Sequence, residues 1–259
     1  MRLVTLGVGA QNSPRYRPAG LLVAAGPVRI MIDGGPGAVP RGRLDAWLVT
    51  DERAELIAQI RKLARPRALR PRAGSVRKPG VSIERRRVAH TSHPTYGYRI
   101  RAAGHTVVWA PEFSRFPRWA RGASLMFAEA AAWSRPIRFA GGVGGHLDVL
   151  AVARQARRLG VKRLVLAHIG RPTLKALARG ERPPFGEMAT DGQAFLLRRA
   201  GKSRHARPAV RLSQSGSRRP TPAGPSRRSS RSKAGLGTGG AGTGLAYRSR
   251  RKENADAGQ

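Results

Sequence analysis

The chain has 259 residues with 50 Lys+Arg against 14 Asp+Glu, a formal net charge of +36 and a pI near 12.0. It has no cysteine, which excludes disulfides, thiolate zinc sites and a cysteine nucleophile, so that any metal must be held by His, Asp or Glu. A chain of this length can bury about 70% of its unfolded surface without a covalent staple, and its apolar runs all fall short of the roughly 20 residues of a membrane helix.

Met1 to Leu6 reads as a strand rather than a secretion signal, because its short apolar run stops at Gly7 and polar Gln11-Asn12-Ser13 follows. A soluble, cytoplasmic protein without a membrane partner is therefore expected. Further short runs rich in Val, Ile and Leu predict strands at Gly20 to Ala25, Val28 to Ile32, Leu44 to Val49, Tyr98 to Ala102, Thr106 to Ala110, Ser124 to Phe127 and Arg163 to Ala167. Leu56, Ile57, Ile60 and Leu63 share one face of a helix predicted over Glu55 to Leu63. A second helix is predicted over Leu147 to Leu159. Arg65 to Gly80, with its prolines and many basic residues, reads as an exposed loop. Strands early and helices later give an α/β fold class.

From residue 200 to 259 Ser, Arg, Gly, Pro and Thr dominate, and this composition predicts a disordered basic tail beyond a domain of residues 1–199. Residues 201–259 contain 14 Lys+Arg against 2 Asp+Glu, and 36 against 12 precede them. The charge is thus not confined to the tail. Such a field attracts polyanions in a salt-dependent way, and the tail arginines Arg218, Arg219, Arg227, Arg228 and Arg231 suit non-specific nucleic acid, whereas a solvated arginine-rich bias is the plain alternative.

Gly7-Val8-Gly9-Ala10-Gln11-Asn12 does not make a dinucleotide loop, because Asn12 stands at the third glycine position and a strand follows where a helix is needed. A longer ordered series is more informative. Leu6-Gly7-Val8-Gly9 is followed by Ser13-Pro14-Arg15-Tyr16-Arg17-Pro18 and by Met31-Ile32-Asp33-Gly34-Gly35. Later come His90-Thr91-Ser92-His93-Pro94-Thr95-Tyr96-Gly97-Tyr98, Val108-Trp109-Ala110-Pro111-Glu112, Gly144-Gly145-His146-Leu147 and Leu166-Ala167-His168-Ile169-Gly170.

Taken in order from Met1 to Phe195, these segments resemble the metallo-β-lactamase superfamily, in particular its phosphodiesterase and transfer-RNA 3′-processing nuclease branches. The resemblance implies a four-layer αββα sandwich with a cleft at one edge of two sheets. It also implies a supporting role for Asp33, a metal ligand at His90 or His93, with His90 favoured, a bridging carboxylate at Glu112 and a final ligand at His168. His146 falls where the family often places a phosphate contact or proton donor.

The family's His-x-His-x-Asp-His segment should follow the strand Leu44 to Val49, but the chain has Asp51-Glu52-Arg53-Ala54-Glu55-Leu56 there. Alternate histidines of an extended segment point to one side, and the following Asp and His hold a second ion about 3.5 to 4 Å from the first. Here Asp51, Arg53, Glu55 and Leu56 take those four places. Asp51 and Glu55 suit a hard cation such as Mn²⁺ or Mg²⁺. A guanidinium about 5 Å from a divalent ion is opposed by roughly 6 to 7 kcal/mol at an effective dielectric near 20.

Three readings follow. The first is a hydrolase of phosphodiesters with an altered or single divalent metal (Zn, Mn or Mg) held by some of Asp51, Glu55, His90, Glu112 and His168, with His146 positioning substrate or donating a proton. The second is a non-catalytic protein that binds an anionic small molecule in the same cleft through Arg53. The third is nucleic-acid association by charge. Histidines at strand ends and Glu129 also have plain structural roles, and Glu129 reads as a salt-bridge partner. His105 and His205 carry no signal.

Overall fold

The computed structural model describes residues 1–198 apart from Asn12. The tail expected over 200–259 lies outside the described residues. The chain forms β1 (Arg2–Gly7), β2 (Gly20–Ala25), β3 (Val28–Asp33), β4 (Ala46–Leu48), α1 (Ile57–Ala64), β5 (Val76–Lys78), β6 (Val81–Val88), β7 (Thr95–Ala102), β8 (His105–Ala110), β9 (Leu125–Ala130), β10 (Ile137–Arg138), β11 (Gly145–His146), α2 (Val149–Arg158), β12 (Leu164–Ile169), α3 (Arg171–Ala178), β13 (Glu187–Met188) and β14 (Ala194–Leu196). A five-stranded sheet has the order β14-β1-β2-β3-β4, and a seven-stranded sheet has β13-β12-β9-β8-β7-β6-β5.

Alternation along the first sheet explains the layering. Leu3, Leu21, Val23, Ile30 and Ile32 join one continuous core with Tyr98, Ile100, Trp109 and Phe127 of the second sheet. Leu22, Met31 and Trp47 point the other way and pack with Ile60 and Ala64 of α1. Strands β9 and β12 are buried at every residue and lie in parallel beside each other. That is the signature of a sheet covered on both faces, and α2 supplies the cover through Val149, Val152, Ala153 and Ala156. The result is the expected αββα sandwich.

Local chemistry sets the helix ends. Asp148 caps α2 by accepting from the Ala151 N–H at 2.8 Å, while Arg157 and Arg158 face the negative end of its dipole. Gly160 follows with φ +69° and closes the helix. In α1 no side chain caps the start, and Leu56 already sits outside it. The helix therefore begins two residues later than the apolar spacing predicts.

One further expectation is corrected. Arg65 to Gly80 is not all loop: a short 3₁₀ turn at Arg65–Arg67 leads to β5, which pairs with β6 as an edge strand. Neither β6 nor α3 is legible from apolar runs. In β6 the alternation of Val81 and Ile83 continues with Arg85 and Arg87, which are exposed and lie over the Tyr96 ring with 5.0 and 5.9 Å to its centroid. In α3 Pro172 stands in the first turn, where its missing N–H does no harm. Among the described residues no helix is long and apolar enough to cross a membrane.

Candidate functional site

Asp33 ends β3 with φ +53°. Its carboxylate accepts from Thr50 N (2.6 Å), Thr50 Oγ1 (3.0 Å) and Trp109 Nε1 (2.7 Å), and its carbonyl accepts from Trp47 Nε1 at 2.8 Å. Burial penalises the charged form and lifts its pKa to about 7, with the nearby Glu112 charge adding to the rise and the donors opposing it. Asp33 thus joins the ends of three strands beneath the cleft.

Above it, Asp51 is buried, and both its oxygens are engaged. Oδ1 accepts from Arg53 N at 2.7 Å and Oδ2 lies 2.7 Å from His93 Nε2. The first bond turns the chain at the start of the loop, so the Arg53 and Glu55 side chains are exposed at the cleft's edge. Neither makes an ion pair among the described residues.

The floor of the cleft is an alternating series of imidazoles and carboxylates. The Gly145 carbonyl lies 3.0 Å from His90 Nδ1, and His90 Nε2 lies 3.4 Å from Glu112 Oε2. Glu112 Oε1 is 2.9 Å from His168 Nε2, and His168 Nδ1 is 3.3 Å from Glu129 Oε1. Glu129 Oε2 then meets His146 Nδ1 at 2.9 Å. The His146 and His168 rings stack with centroids 5.5 Å apart, and Phe139 packs edge-on against both His90 and His146.

Glu129 is fully buried and also accepts from the backbone N–H groups of Phe113 and Ala131, each at 3.0 Å. Burial alone raises its carboxyl. The charge and hydrogen bond of His146, followed by those of His168, outweigh that and hold it at about 2. Glu112 is likewise raised by burial but brought down to about 2, chiefly by His168. Burial disfavours a charged His168, yet Glu112 and then Glu129 raise it to about 10. Each ring nitrogen of His168 therefore meets a carboxylate, Nε2 that of Glu112 and Nδ1 that of Glu129.

Asp51, Arg53, Glu55, His90, His93, Glu112, His146 and His168 all line one open cleft, and Arg171 at the start of α3 lines it too. The structure places His90 against Glu112 and His93 against Asp51, which divides the two histidines that the sequence left as alternatives. Sequence reasoning missed the central role of Glu129. The available signal was a carboxylate inside the otherwise apolar run Leu125-Met126-Phe127-Ala128-Glu129-Ala130, a place where an unpaired charge is not tolerated. Arg171 was missed because α3 was.

Residues 29–169 match the family described as β-lactamase superfamily domain. The chain belongs to that superfamily. It is similar in structure to the metallo-β-lactamase fold protein YhfI from Bacillus subtilis, at 18% identity and TM-score 0.60 over 75% of this chain and 99% of that one. A diphosphatase from the PhnP family aligns at 17% identity and TM-score 0.60 over 76% and 97%. Human tRNase Z, short form, aligns at 14% and 0.51 over 76% and 99%. At these identities the likeness establishes the fold. No curated protein matches the chain by sequence.

Members of the superfamily bind divalent metal ions, so the donors must be weighed against such a centre. Among the described residues, Glu129, His146 and His168 form the one group of three or more whose ligand atoms lie within 4.8 Å of one another. Glu129 has no room for a metal there, because its four lone-pair directions already meet Phe113 N, Ala131 N, His146 and His168. It orients the histidines, as outer carboxylates do. The two oxygens of Glu112 go to different imidazoles, and the two places where the family has its paired histidine ligands carry Asp51, already held by Arg53 N and His93, and exposed Arg53. Leu56 and Ile60 line the cavity beside Glu112 and His168. This arrangement does not fit a two-ion centre.

Proposed function

We propose that the chain is a hydrolase of phosphodiesters, in which the cations of the cleft hold the substrate phosphate and His146 donates the proton to the leaving oxygen. One observation carries this reading. The Nδ1 of His146 is fixed on the buried carboxylate of Glu129, and its ring lines the cleft with Arg53 and Arg171. A carboxylate on one nitrogen sets the orientation of the ring and leaves the other nitrogen to meet the leaving oxygen, which is the placement a general acid requires. The two arginines supply the charge and the N–H geometry that phosphate oxygens accept.

The direct experiment is hydrolysis of bis-p-nitrophenyl phosphate by the full chain, with EDTA and with Mn²⁺, Zn²⁺ or Mg²⁺ in turn. Hydrolysis that falls in His146→Gln supports the proposal. No hydrolysis under any of these conditions would contradict it.

Arg53 favours a second reading, in which the cleft binds an anionic small molecule without turning it over. It stands where the family has a histidine ligand, and a cation suits a phosphate as well as it opposes a metal. In that case Arg53→Ala weakens binding of inorganic phosphate in calorimetry, and an unaltered affinity removes the idea. Nucleic acid is the polyanion that the overall charge suits, and residues 200–259 would add to that attraction through counterion release.

A further inference from the structure

Two of the cleft's histidines pair with a carboxylate through one ring nitrogen and leave the other nitrogen without a partner among the described residues. His93 Nε2 lies 2.7 Å from Asp51 Oδ2, and His146 Nδ1 lies 2.9 Å from Glu129 Oε2. In each ring the other nitrogen, Nδ1 of His93 and Nε2 of His146, has no hydrogen-bond partner among the described residues. Neither is a buried orphan, since Ser13 Oγ is the one buried side-chain atom among the described residues that lacks a partner. Both free nitrogens therefore face solvent. The two histidine side chains are 22% and 14% exposed and line the same cleft, whereas His90 and His168 are enclosed, with both ring nitrogens taken.

We infer that His93 is the general base of this cleft, positioned by Asp51 and working together with the acid His146, which lines the same cleft. The inference rests on the reading of the cleft as a phosphodiester hydrolase and supplies the half of the reaction that a metal-bound hydroxide would otherwise perform. Asp51 accepts the Nε2–H of His93 and so leaves the lone pair on Nδ1. That nitrogen takes a proton from water as the water oxygen bonds to phosphorus. The bond from phosphorus to the leaving oxygen breaks, and that oxygen takes the proton from His146 Nε2. The products are a phosphomonoester and an alcohol. Solvent then returns His93 to its neutral form and His146 to its protonated form. No metal ion, oxidant or further reactant enters the balance.

Asp51 thereby has a use in this chain that differs from metal ligation. Its replacement of a histidine and the presence of His93 three residues beyond His90 are parts of one arrangement. Asp51 and Glu129 are positioning residues, and His93 and His146 are the groups that meet the reacting atoms.

The test uses the full chain dialysed against EDTA and two diesters that differ in leaving group. Bis-p-nitrophenyl phosphate releases a stable anion that needs little protonation, whereas diphenyl phosphate releases a more basic one. His93→Gln is expected to lower kcat on both by about 10²- to 10⁴-fold, the usual worth of a positioned base. His146→Gln is expected to lower kcat far more on diphenyl phosphate than on bis-p-nitrophenyl phosphate. Asp51→Asn, a near-isosteric change, should lower kcat on both after correction for the folded fraction measured by circular dichroism, whereas a mere loss of fold would leave the corrected kcat at the parent value. If His93→Gln keeps the parent kcat while His146→Gln loses it, the base is not His93 and the hydrolase reading survives. Activity that EDTA abolishes and added ions restore overturns the metal-free step alone. Absence of hydrolysis in every condition overturns both.

Discussion

Glu112 reaches His168 Nε2 at 2.9 Å with one oxygen and His90 Nε2 at 3.4 Å with the other, so a single carboxylate spans two imidazoles of the cleft. The contact ties the end of β12 to the loop after β6. Glu112 is held at about 2 and His168 at about 10. A connected histidine–carboxylate network therefore occupies the centre of the cleft.

The pH dependence of stability follows from these shifts. His168 is raised above its ordinary 6.5, so its contribution is fully present below about 6.5 and is lost as the pH rises through about 10. Glu112 and Glu129 are lowered below their ordinary 4.5, so their contributions are present above about 4.5 and are lost as the pH falls toward about 2. Urea denaturation across pH 3 to 10 should show stability declining on both sides of a region near pH 5 to 6. His168→Gln should remove the alkaline decline.

Asp33 acts in the opposite sense to the two glutamates. Its pKa rises from 3.8 to about 7, so the stability linked to its proton is greatest below about 3.8 and is lost as the pH rises through about 7. In Asp33→Asn that limb should vanish from the same urea series. Persistence of the limb would show that Asp33 is already ionised at low pH in the fold.

Glu129→Gln leaves two charged or donating imidazoles facing an amide in a buried place. A loss of about 3 to 5 kcal/mol is expected, because the uncompensated partner stays buried. Chemical denaturation measures it. Glu55→Gln, on the exposed edge of the same cleft, should change stability by less than about 0.5 kcal/mol.

Gly144 fixes the approach of β11 to His90. A Cβ there would lie 1.8 Å from the His90 carbonyl oxygen, which is backbone and cannot move alone. Gly144→Ala should destabilise the protein by about 1 to 3 kcal/mol and pull His146 away from Glu129. The second effect is visible as a loss of turnover that exceeds the loss of folded protein.

The strands that bury both faces were legible in the sequence, because their apolar runs are continuous; β2 falls at the predicted residues. Strand β6 was not, since β5 pairs with it only at Val81 to Ile83, and beyond that point its open side lets Arg85 and Arg87 stand where a strand paired on both sides needs apolar side chains. Asp33, Asp51, His90, His93, Glu112, His146 and His168 were named from their order along the chain, and they line one connected region. Their pairing was not legible. Whether His93 meets Asp51 or Glu112 depends on a turn of the loop at residues 89–94 that no local pattern specifies, and Glu129 shows its role only through four donors that come from different elements.

The central claim is that this cleft works through histidine–carboxylate pairs and not through a pair of ions. Elemental analysis of the full chain after saturation with Zn²⁺ or Mn²⁺ and gel filtration, alongside bis-p-nitrophenyl phosphate hydrolysis on the same samples, tests it most directly. The account predicts far fewer than two retained ions per chain and hydrolysis that EDTA leaves unchanged. Two retained ions per chain, with turnover that disappears when they are removed and returns when they are replaced, would contradict it.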